Sequence, residues 1–507
     1  MESAQKYSSR SLTSNIGAIL IGSLAQKLLA LYTLREIARY LSPEQYGVWS
    51  EVFVVAGFFG TMADFSLDVV VARELARSDS GRSQLFGNAI LLKVMLAILS
   101  ALLLITASFL LPYPSAVRRL IMLSSLSCWG SVASLLSVAC QVEMKSHLAQ
   151  VYSLAATISV LSGLLILIHL KASIGQLVLA QCCLGLSFQL VLGRQVFRFL
   201  IPDFHFYKPY QRLLIRSALP IAASAFAAQL YNRFDVFYLG MVRGLTEVGY
   251  YGAAYRLTES FSFIPGAIML TVYPALASSV WFDREHFHRI IYRSTQALLI
   301  LAVPLLLIFT GCAGPMLIFF FGPSYAPATP ALVWLAVAEF TMFFTPLAFQ
   351  ILLVYDRERW VAGISAVLVA FNVTANWFLI PRFGFTAAAA ITAGTQTIAL
   401  GLAVIGFPSK NYLMRAAPRL LKIPLAGLIA GSVFWILPSL HLGAKVGLAI
   451  GFYICGLALS GVLREVIKPE RLMKIGSTTR SCDQLNRSLR PIEIEDFTEM
   501  ACPINDR

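Results

Sequence analysis

The feature that most constrains this chain is a series of long apolar runs separated by short polar segments. Leu96–Leu111 and Val446–Leu459 contain no charged residue, and Leu298–Ile308 contains only apolar side chains. A helix needs roughly 20 apolar residues to cross the hydrocarbon core of a bilayer. Charged residues make up 13% of the chain, against roughly 25% in a typical soluble domain. The sequence therefore predicts an all-α polytopic membrane protein.

The apolar runs predict about fourteen transmembrane helices. The predicted spans are 12–34, 47–66, 86–111, 120–142, 151–170, 173–193, 214–234, 249–275, 294–321, 328–354, 360–380, 385–407, 419–438 and 443–463. The chain turns polar from Arg464 onward and shows no clear period, which predicts a mobile extension.

Lysine and arginine are distributed unevenly among the segments between these spans. If the N-terminus is cytoplasmic, the basic residues left on the opposite side are Arg35, Arg39, Arg118, Arg119, Lys171, Arg243, Arg382 and Lys445. An excess of positive charge in cytoplasmic loops sets membrane orientation, so we expect both termini in the cytoplasm. Topology then explains the net charge of +14, and we expect no nucleic-acid partner.

Motifs that carry enzyme chemistry are missing from the sequence. It has no phosphate-binding glycine loop, no HExxH and no nucleophile elbow. The eight cysteines form no CxxC motif and no cluster with histidine. We therefore expect a transporter rather than an enzyme, with no cofactor and no metal site.

Short segments in the two halves of the chain resemble each other. Gln26 and Gln229 are 203 residues apart, as are Glu44 and Glu247, which lie in similar short loops. Six predicted spans separate the copies, so both copies have the same orientation in the membrane. This pattern predicts two parallel six-helix lobes around a central substrate cavity. The predicted units are an N-lobe (1–207), a C-lobe (208–408), two additional helices (409–463) and a polar cytoplasmic tail (464–507).

Several segments, taken in their order and spacing, carry a resemblance to a known family. They are Ala38–Gly47, Asp64–Leu67, Arg73–Arg77, Asp235–Gly240, Val248–Leu257, Phe321–Tyr325 and Asn376–Gly384. In these segments the chain resembles the polysaccharide biosynthesis proteins of the Wzx oligosaccharide flippase type, in the multidrug/oligosaccharidyl-lipid/polysaccharide superfamily. The resemblance covers roughly residues 10–410. It implies twelve core helices in two lobes, and flipping of a polyprenyl-pyrophosphate-linked oligosaccharide across the bacterial inner membrane.

The expected partners are therefore the lipid-linked oligosaccharide and membrane lipids, with a polysaccharide polymerase and glycosyltransferases as further candidates. One alternative is a cation-coupled multidrug or small-molecule antiporter of the same superfamily. Another is a membrane glycan polymerase or ligase, for which we would expect a large loop outside the membrane. The longest gap between predicted spans is the roughly twenty-residue segment Arg194–Leu213, which argues against that enzyme.

Polar residues at helical spacing inside the spans are candidates for lining the cavity. An ionised side chain at mid-bilayer costs roughly 2.5 kcal/mol or more, so it normally faces a partner or water. Guanidinium and ammonium groups bind pyrophosphate, and aromatic rings can stack on sugars. The candidate substrate-binding residues are Gln26, Lys27, Gln229, Asn232, Arg233, Tyr255, Arg256, Glu259 and Glu339.

Structural interpretations remain open for these and neighbouring residues. Arg256 and Glu259, three residues apart on one helix, could form an ion pair that only holds the fold together. Arg233 and Asp235, near a helix end, could extend to the membrane interface. Tyr251 belongs to a tyrosine cluster typical of an aromatic belt. Lys93 is interpreted as an interfacial residue rather than a functional one.

Overall fold

The structure, a computed structural model, describes residues 9–77, 81–143, 145–280, 283–408, 417–437 and 440–467. Within these ranges the regular structure is helical and contains no β-strand. The predicted all-α membrane fold is confirmed. Most of the predicted tail, and residues 409–416 before the two additional helices, lie outside the described residues.

The first part of the chain, called the N-half below, contains helices α1 to α8. They are α1 (Ser9–Tyr40), α2 (Pro43–Asp64), α3 (Leu67–Arg77), α4 (Arg82–Leu110), α5 (Ser115–Ser124), α6 (Gly130–Val142), α7 (Ser146–His169) and α8 (Ile174–Val196). A capping box starts α2: the Ser42 hydroxyl accepts a hydrogen bond from the Gln45 amide, and the Gln45 side chain accepts one from the Ser42 amide.

The second part, called the C-half, contains α9 to α16, and three helices follow it. They are α9 (Lys208–Val242), α10 (Leu245–Glu259), α11 (Phe263–Ser279), α12 (Arg284–Gly311), α13 (Ala313–Phe321), α14 (Thr329–Met342), α15 (Thr345–Val354), α16 (Glu358–Ile405), α17 (Lys422–Ile436), α18 (Leu442–Leu459) and α19 (Val462–Ile467). Gly427 and Gly431 of α17 lie against Val303 and Leu307 of α12, which attaches the additional helices to the C-half.

Eleven helical segments of the described chain are long and apolar enough to cross a membrane. One of them, α16, is 48 residues long and bends at Gly384, so it corresponds to two predicted spans. The 32-residue α1 and the 18-residue α18 correspond to two more. The predicted number of fourteen therefore agrees approximately with the structure.

The bend in α16 depends on Gly384, whose φ of 61° and ψ of −144° are rarely adopted by residues with a side chain. A Cβ atom at this position would lie 2.1 Å from Oε2 of Glu247, at the start of α10. The same carboxylate accepts a hydrogen bond of 2.9 Å from the Phe385 amide. Glu247 thus caps the second part of α16 at the break, and only glycine leaves room for it.

The two halves meet most closely where α2 and α10 cross. A Cβ atom on Gly47 would lie 1.6 Å from the Leu245 carbonyl oxygen, and one on Gly249 would lie 1.9 Å from the Pro43 carbonyl oxygen. Backbone therefore touches backbone at two glycines, one from each half. These residues belong to the two similar loops of the sequence repeat, so the repeated segments pack against each other.

Further contacts close the same end of the molecule, which we call the closed end (residues 39–47, 243–249 and 319–325). The Tyr325 hydroxyl donates a 3.4 Å hydrogen bond to the Leu41 carbonyl oxygen, and its ring packs edge-on against Tyr46. Arg39 donates a 2.8 Å hydrogen bond to the Phe319 carbonyl oxygen. One buried hydrophobic cluster contains residues from both halves at this end, including Tyr46 and Tyr325.

Replacing Gly47 with alanine should destabilise the closed end, because the new methyl group would overlap the Leu245 backbone. Forced overpacking of this kind costs about 1–3 kcal/mol, so we expect a lower melting temperature in detergent for Gly47→Ala. Gly60→Ala is the matched control on the same helix, since nothing lies within 4 Å of its added Cβ. Equal melting temperatures for the two variants would contradict the close contact.

Candidate functional site

A cavity of about 570 Å³ lies between the N-half and α10, next to the closed end. Helices α1, α2, α7 and α8 supply most of its wall, and α10 supplies Arg256 and Glu259. Lys27 lines the cavity and is exposed to it. The other polar or aromatic residues of the wall are Thr33, Tyr46, Trp49, Ser50, Phe53, Ser153, Thr157, Gln181, Gln189 and Ser260.

Glu259 is held between two arginines of the C-half. Its Oε1 atom lies 2.9 Å from Nη2 of Arg233, and its Oε2 atom lies 3.2 Å from Nη1 of Arg256. The Arg233 guanidinium also lies 5.0 Å from the centre of the Tyr255 ring, within range of a cation–π interaction. The exposed fraction of the side chain is 19% for Arg233 and 44% for Arg256. Arg256 is therefore the arginine that faces this first cavity, which is called the main cavity below.

A second cavity, of about 240 Å³, lies inside the C-half. It contains most of the C-half residues that the sequence singled out: Gln229, Asn232, Arg233, Tyr255, Glu259 and Glu339. Glu259 lines both cavities, so the Arg233–Glu259–Arg256 group separates them. Glu339 is buried, and no described residue makes a hydrogen bond with its Oε1 atom.

Gln26 lies apart from the other candidates. Its side-chain amide donates to the hydroxyl groups of Ser153 (2.6 Å) and Thr157 (3.3 Å) on α7, and it accepts a hydrogen bond from Gln150. Ser153 and Thr157 line the main cavity. In the described structure Gln26 therefore orients residues of the wall instead of lining it.

Lys93 is the clearest difference between sequence and structure. Its side chain is fully buried, and its ammonium group lies 2.8 Å from Asp64, 2.6 Å from Asp68 and 2.7 Å from the Ser131 carbonyl oxygen. The interfacial interpretation is wrong, because a lysine at the interface keeps its ammonium group in water. Asp64 and Asp68 are two carboxylates in an apolar region and need a counter-charge, which Lys93 supplies.

Asp235 and Tyr251 also differ from their sequence interpretation. Both are buried, and the Tyr251 hydroxyl donates a hydrogen bond to the Asp235 carboxylate. Thr392 of α16 lies within hydrogen-bond distance of both groups, at 3.4 Å from Asp235 and 3.2 Å from Tyr251. Asp235 does not reach the interface, and Tyr251 is not part of an aromatic belt. The group joins α9, α10 and α16 inside the C-half.

The geometry is that of a membrane transporter: two helical halves pack together at the closed end, and polar cavities lie between apolar helices. The polysaccharide biosynthesis protein family matches residues 12–280, just over half of the chain. The chain belongs to this family.

Two relatives match over part of their length. The "probable flippase AglR" of Haloferax volcanii is 26% identical over 252 residues, which is 47% of this chain and 52% of AglR. The "succinoglycan biosynthesis transport protein ExoT" of Rhizobium meliloti is 25% identical over 341 residues, which is 65% of this chain and 66% of ExoT. The chain thus spans about half the length of one relative and about two thirds of the other.

Two solved structures show the same fold. The lipid II flippase MurJ in an inward closed conformation matches with a TM-score of 0.72 and 13% identity, over 89% of this chain and 99% of MurJ. The MATE multidrug transporter DinF-BH matches with a TM-score of 0.57 and 14% identity, over 79% of this chain and 95% of its own. Identities this low establish the fold and nothing more.

Arg233 and Arg256 should respond differently to removal of the guanidinium group. Arg233 is the more buried of the two and lies over the Tyr255 ring, so Arg233→Ala removes one of the two partners of Glu259 and leaves an empty volume. Arg256 is nearly half exposed, so Arg256→Ala should reduce stability much less. Melting temperature and membrane abundance of the two variants test this difference. A larger loss for Arg256→Ala would show that Arg256 has a mainly structural role.

Proposed function

We propose that the protein is a flippase that moves a polyprenyl-pyrophosphate-linked oligosaccharide, the repeat unit of a polysaccharide, across the bacterial inner membrane by alternating access. The observation that carries this proposal is the main cavity, which combines two accessible cations, Lys27 and Arg256, with hydroxyl, amide and aromatic side chains. Membership of the polysaccharide biosynthesis protein family supports it.

The chemistry of such a substrate fits the cavity wall. A guanidinium group binds phosphate oxygens through two parallel hydrogen bonds, and an ammonium group adds a mobile point charge. Glu259 fixes the direction of the Arg256 side chain without covering it. Sugars need hydrogen-bond donors and acceptors with flat apolar surfaces beside them, which Gln181, Gln189 and Trp49 supply. The polyprenyl chain would remain in the lipid.

A second candidate, a cation-coupled multidrug antiporter, has one observation in its favour, the fold shared with DinF-BH. The charge of the cavity argues against it. Its charged wall residues are Lys27, Arg256 and Glu259, so the wall carries an excess of positive charge that repels cationic drugs. Glycosyltransferases that build the repeat unit and a polymerase that consumes it are the partners we propose for this flippase.

Reconstitution of the purified protein in liposomes tests the proposal. A fluorescent polyprenyl-pyrophosphate oligosaccharide placed in one leaflet should reach the other leaflet faster than in protein-free liposomes. Arg256→Lys should lower this rate by about tenfold, because an ammonium group cannot replace the paired hydrogen bonds, while leaving the melting temperature unchanged. Arg289→Lys is the matched control, since Arg289 forms an ion pair with Glu285 outside the cavity.

Two outcomes would contradict the proposal. No protein-dependent movement of the glycolipid, together with uptake of a cationic dye, would favour the antiporter. The double variant Arg256→Met with Glu259→Leu removes Arg256 together with the carboxylate that it shares with Arg233. Transport at the full rate in this variant would remove Arg256 from the binding site.

We further propose that both termini face the cytoplasm of a cell with this protein in its inner membrane, on the basis of the charge distribution in the loops. Cys482 and Cys502 lie in the tail outside the described residues. In intact cells whose other cysteines are replaced by alanine, these two thiols should resist a membrane-impermeant maleimide and react after lysis. Labelling before lysis would place the C-terminus on the other side.

A further inference from the structure

Glu51 is a buried acid at the contact between the two halves. It lies eight residues after Pro43, the first residue of α2, so it is about 12 Å below the start of the helix at 1.5 Å per residue. Its side chain has an exposed fraction of 0%. On the opposite half it faces Gly240 of α9, where a Cβ atom would lie 2.8 Å from Oε2 of Glu51. The acid thus fills the space left by a glycine of the C-half.

The carboxyl group of Glu51 has one hydrogen-bond partner among the described residues. The Tyr113 hydroxyl lies 2.6 Å from its Oε1 atom. No described residue makes a hydrogen bond with Oε2. A carboxylate buried without a counter-charge is among the most unfavourable groups in a protein interior, whereas the neutral acid has a much smaller desolvation cost. The closed arrangement therefore favours the protonated acid.

The charged groups on the surrounding helices are engaged elsewhere. Lys93 of α4 forms ion pairs with Asp64 and Asp68. Asp235 of α9 is hydrogen-bonded to Tyr251 of α10, and Arg256 of α10 forms an ion pair with Glu259. Arg118 of α5 lies over the Phe109 ring. None of these described groups makes an ion pair with Glu51. Among the described residues, the Tyr113 hydroxyl is the titratable group that is hydrogen-bonded to Glu51.

We propose that Glu51 is a proton-binding site that links protonation to closure of the closed end. When the halves separate at this end, α2 leaves Gly240 and water reaches the carboxyl group, which can then ionise. When the halves close, the carboxylate takes up one proton from the solution and becomes a neutral acid. The inference goes beyond the proposed flippase activity and does not depend on the identity of the transported molecule.

The sign of the pH dependence follows from this linkage. The closed form binds the proton more tightly than the open form, so low pH favours closure and rising pH favours opening. With one proton involved, the ratio of open to closed protein changes by at most about tenfold per pH unit. At pH values where Glu51 is protonated in both forms, or ionised in both forms, the ratio of open to closed protein does not change with pH.

Distances between two spin labels can measure this ratio directly. Glu44 and Thr246 are exposed residues on either side of the contact between α2 and α10. Full-length protein carrying Glu44→Cys and Thr246→Cys, with native cysteines replaced by alanine, would be placed in nanodiscs and measured by pulsed electron paramagnetic resonance between pH 5 and pH 9. We expect the short-distance population to dominate at low pH and the long-distance population to grow as pH rises.

Variants separate Glu51 from other titrating groups. Glu51→Gln has nearly the same shape and cannot ionise, so the short distance should persist at every pH. Glu74→Gln, which removes an acid of α3 that pairs with Arg73 away from the contact, should keep the pH dependence. Tyr113→Phe removes a hydrogen-bond donor that stabilises the Glu51 carboxylate. The pH at which half of the protein is open should therefore be higher in this variant.

Three results would overturn the proposal: distances in the unsubstituted protein that do not change with pH, a pH dependence that survives in Glu51→Gln, or an unchanged midpoint in Tyr113→Phe. Tyr113→Phe keeps the test available if Glu51→Gln does not fold. The distances are measured without substrate, so failure here leaves the flippase proposal intact, and failure of glycolipid transport leaves this test valid.

Discussion

The rest of the structure depends on the crossing of α2 and α10, where glycines allow the two backbones to touch. Gly47 and Gly249 have no room for a methyl group, and the closed end is assembled around them. The main cavity begins next to this contact, since Tyr46 and Ser50, on the same helix as Gly47, line its wall. Small residues are the usual means of close helix approach in membranes, where the hydrophobic effect does not drive helices together.

Both halves contain a group in which one charged side chain lies between two residues of opposite charge. Lys93 lies between two aspartates, and Glu259 lies between two arginines. The two groups differ in access to solvent. Lys93 is fully buried and acts as a structural link among α2, α3, α4 and α6, whereas Arg256 keeps an exposed face. Arg256 can therefore bind an anionic ligand, because its ion pair borders the main cavity, whereas Lys93 cannot.

The sequence was sufficient to predict the fold class and the approximate number of spans, because hydropathy and helical spacing are local properties. The sequence also predicted a cavity position for Lys27, Arg256 and Glu259, because an ionised side chain in an apolar helix normally faces a partner or water rather than lipid. The partners of Lys93 and the pair Asp235–Tyr251 could not be predicted, because they depend on which helices are neighbours. Glu51 was missed for the same reason: its significance comes from Gly240, 189 residues away in the chain.

The location of the ion pairs bears on how the halves could move. Each ion pair seen among the described residues joins two residues of the same half, from Arg82–Glu143 and Lys93–Asp64 in the N-half to Arg233–Glu259 in the C-half. Contacts across the closed end are of another kind: glycine backbone contacts, aromatic edges and single hydrogen bonds such as that of Arg39. Breaking an ion pair inside the membrane strands two charges, while separating these contacts strands none. The contacts at the closed end can therefore separate without breaking an ion pair.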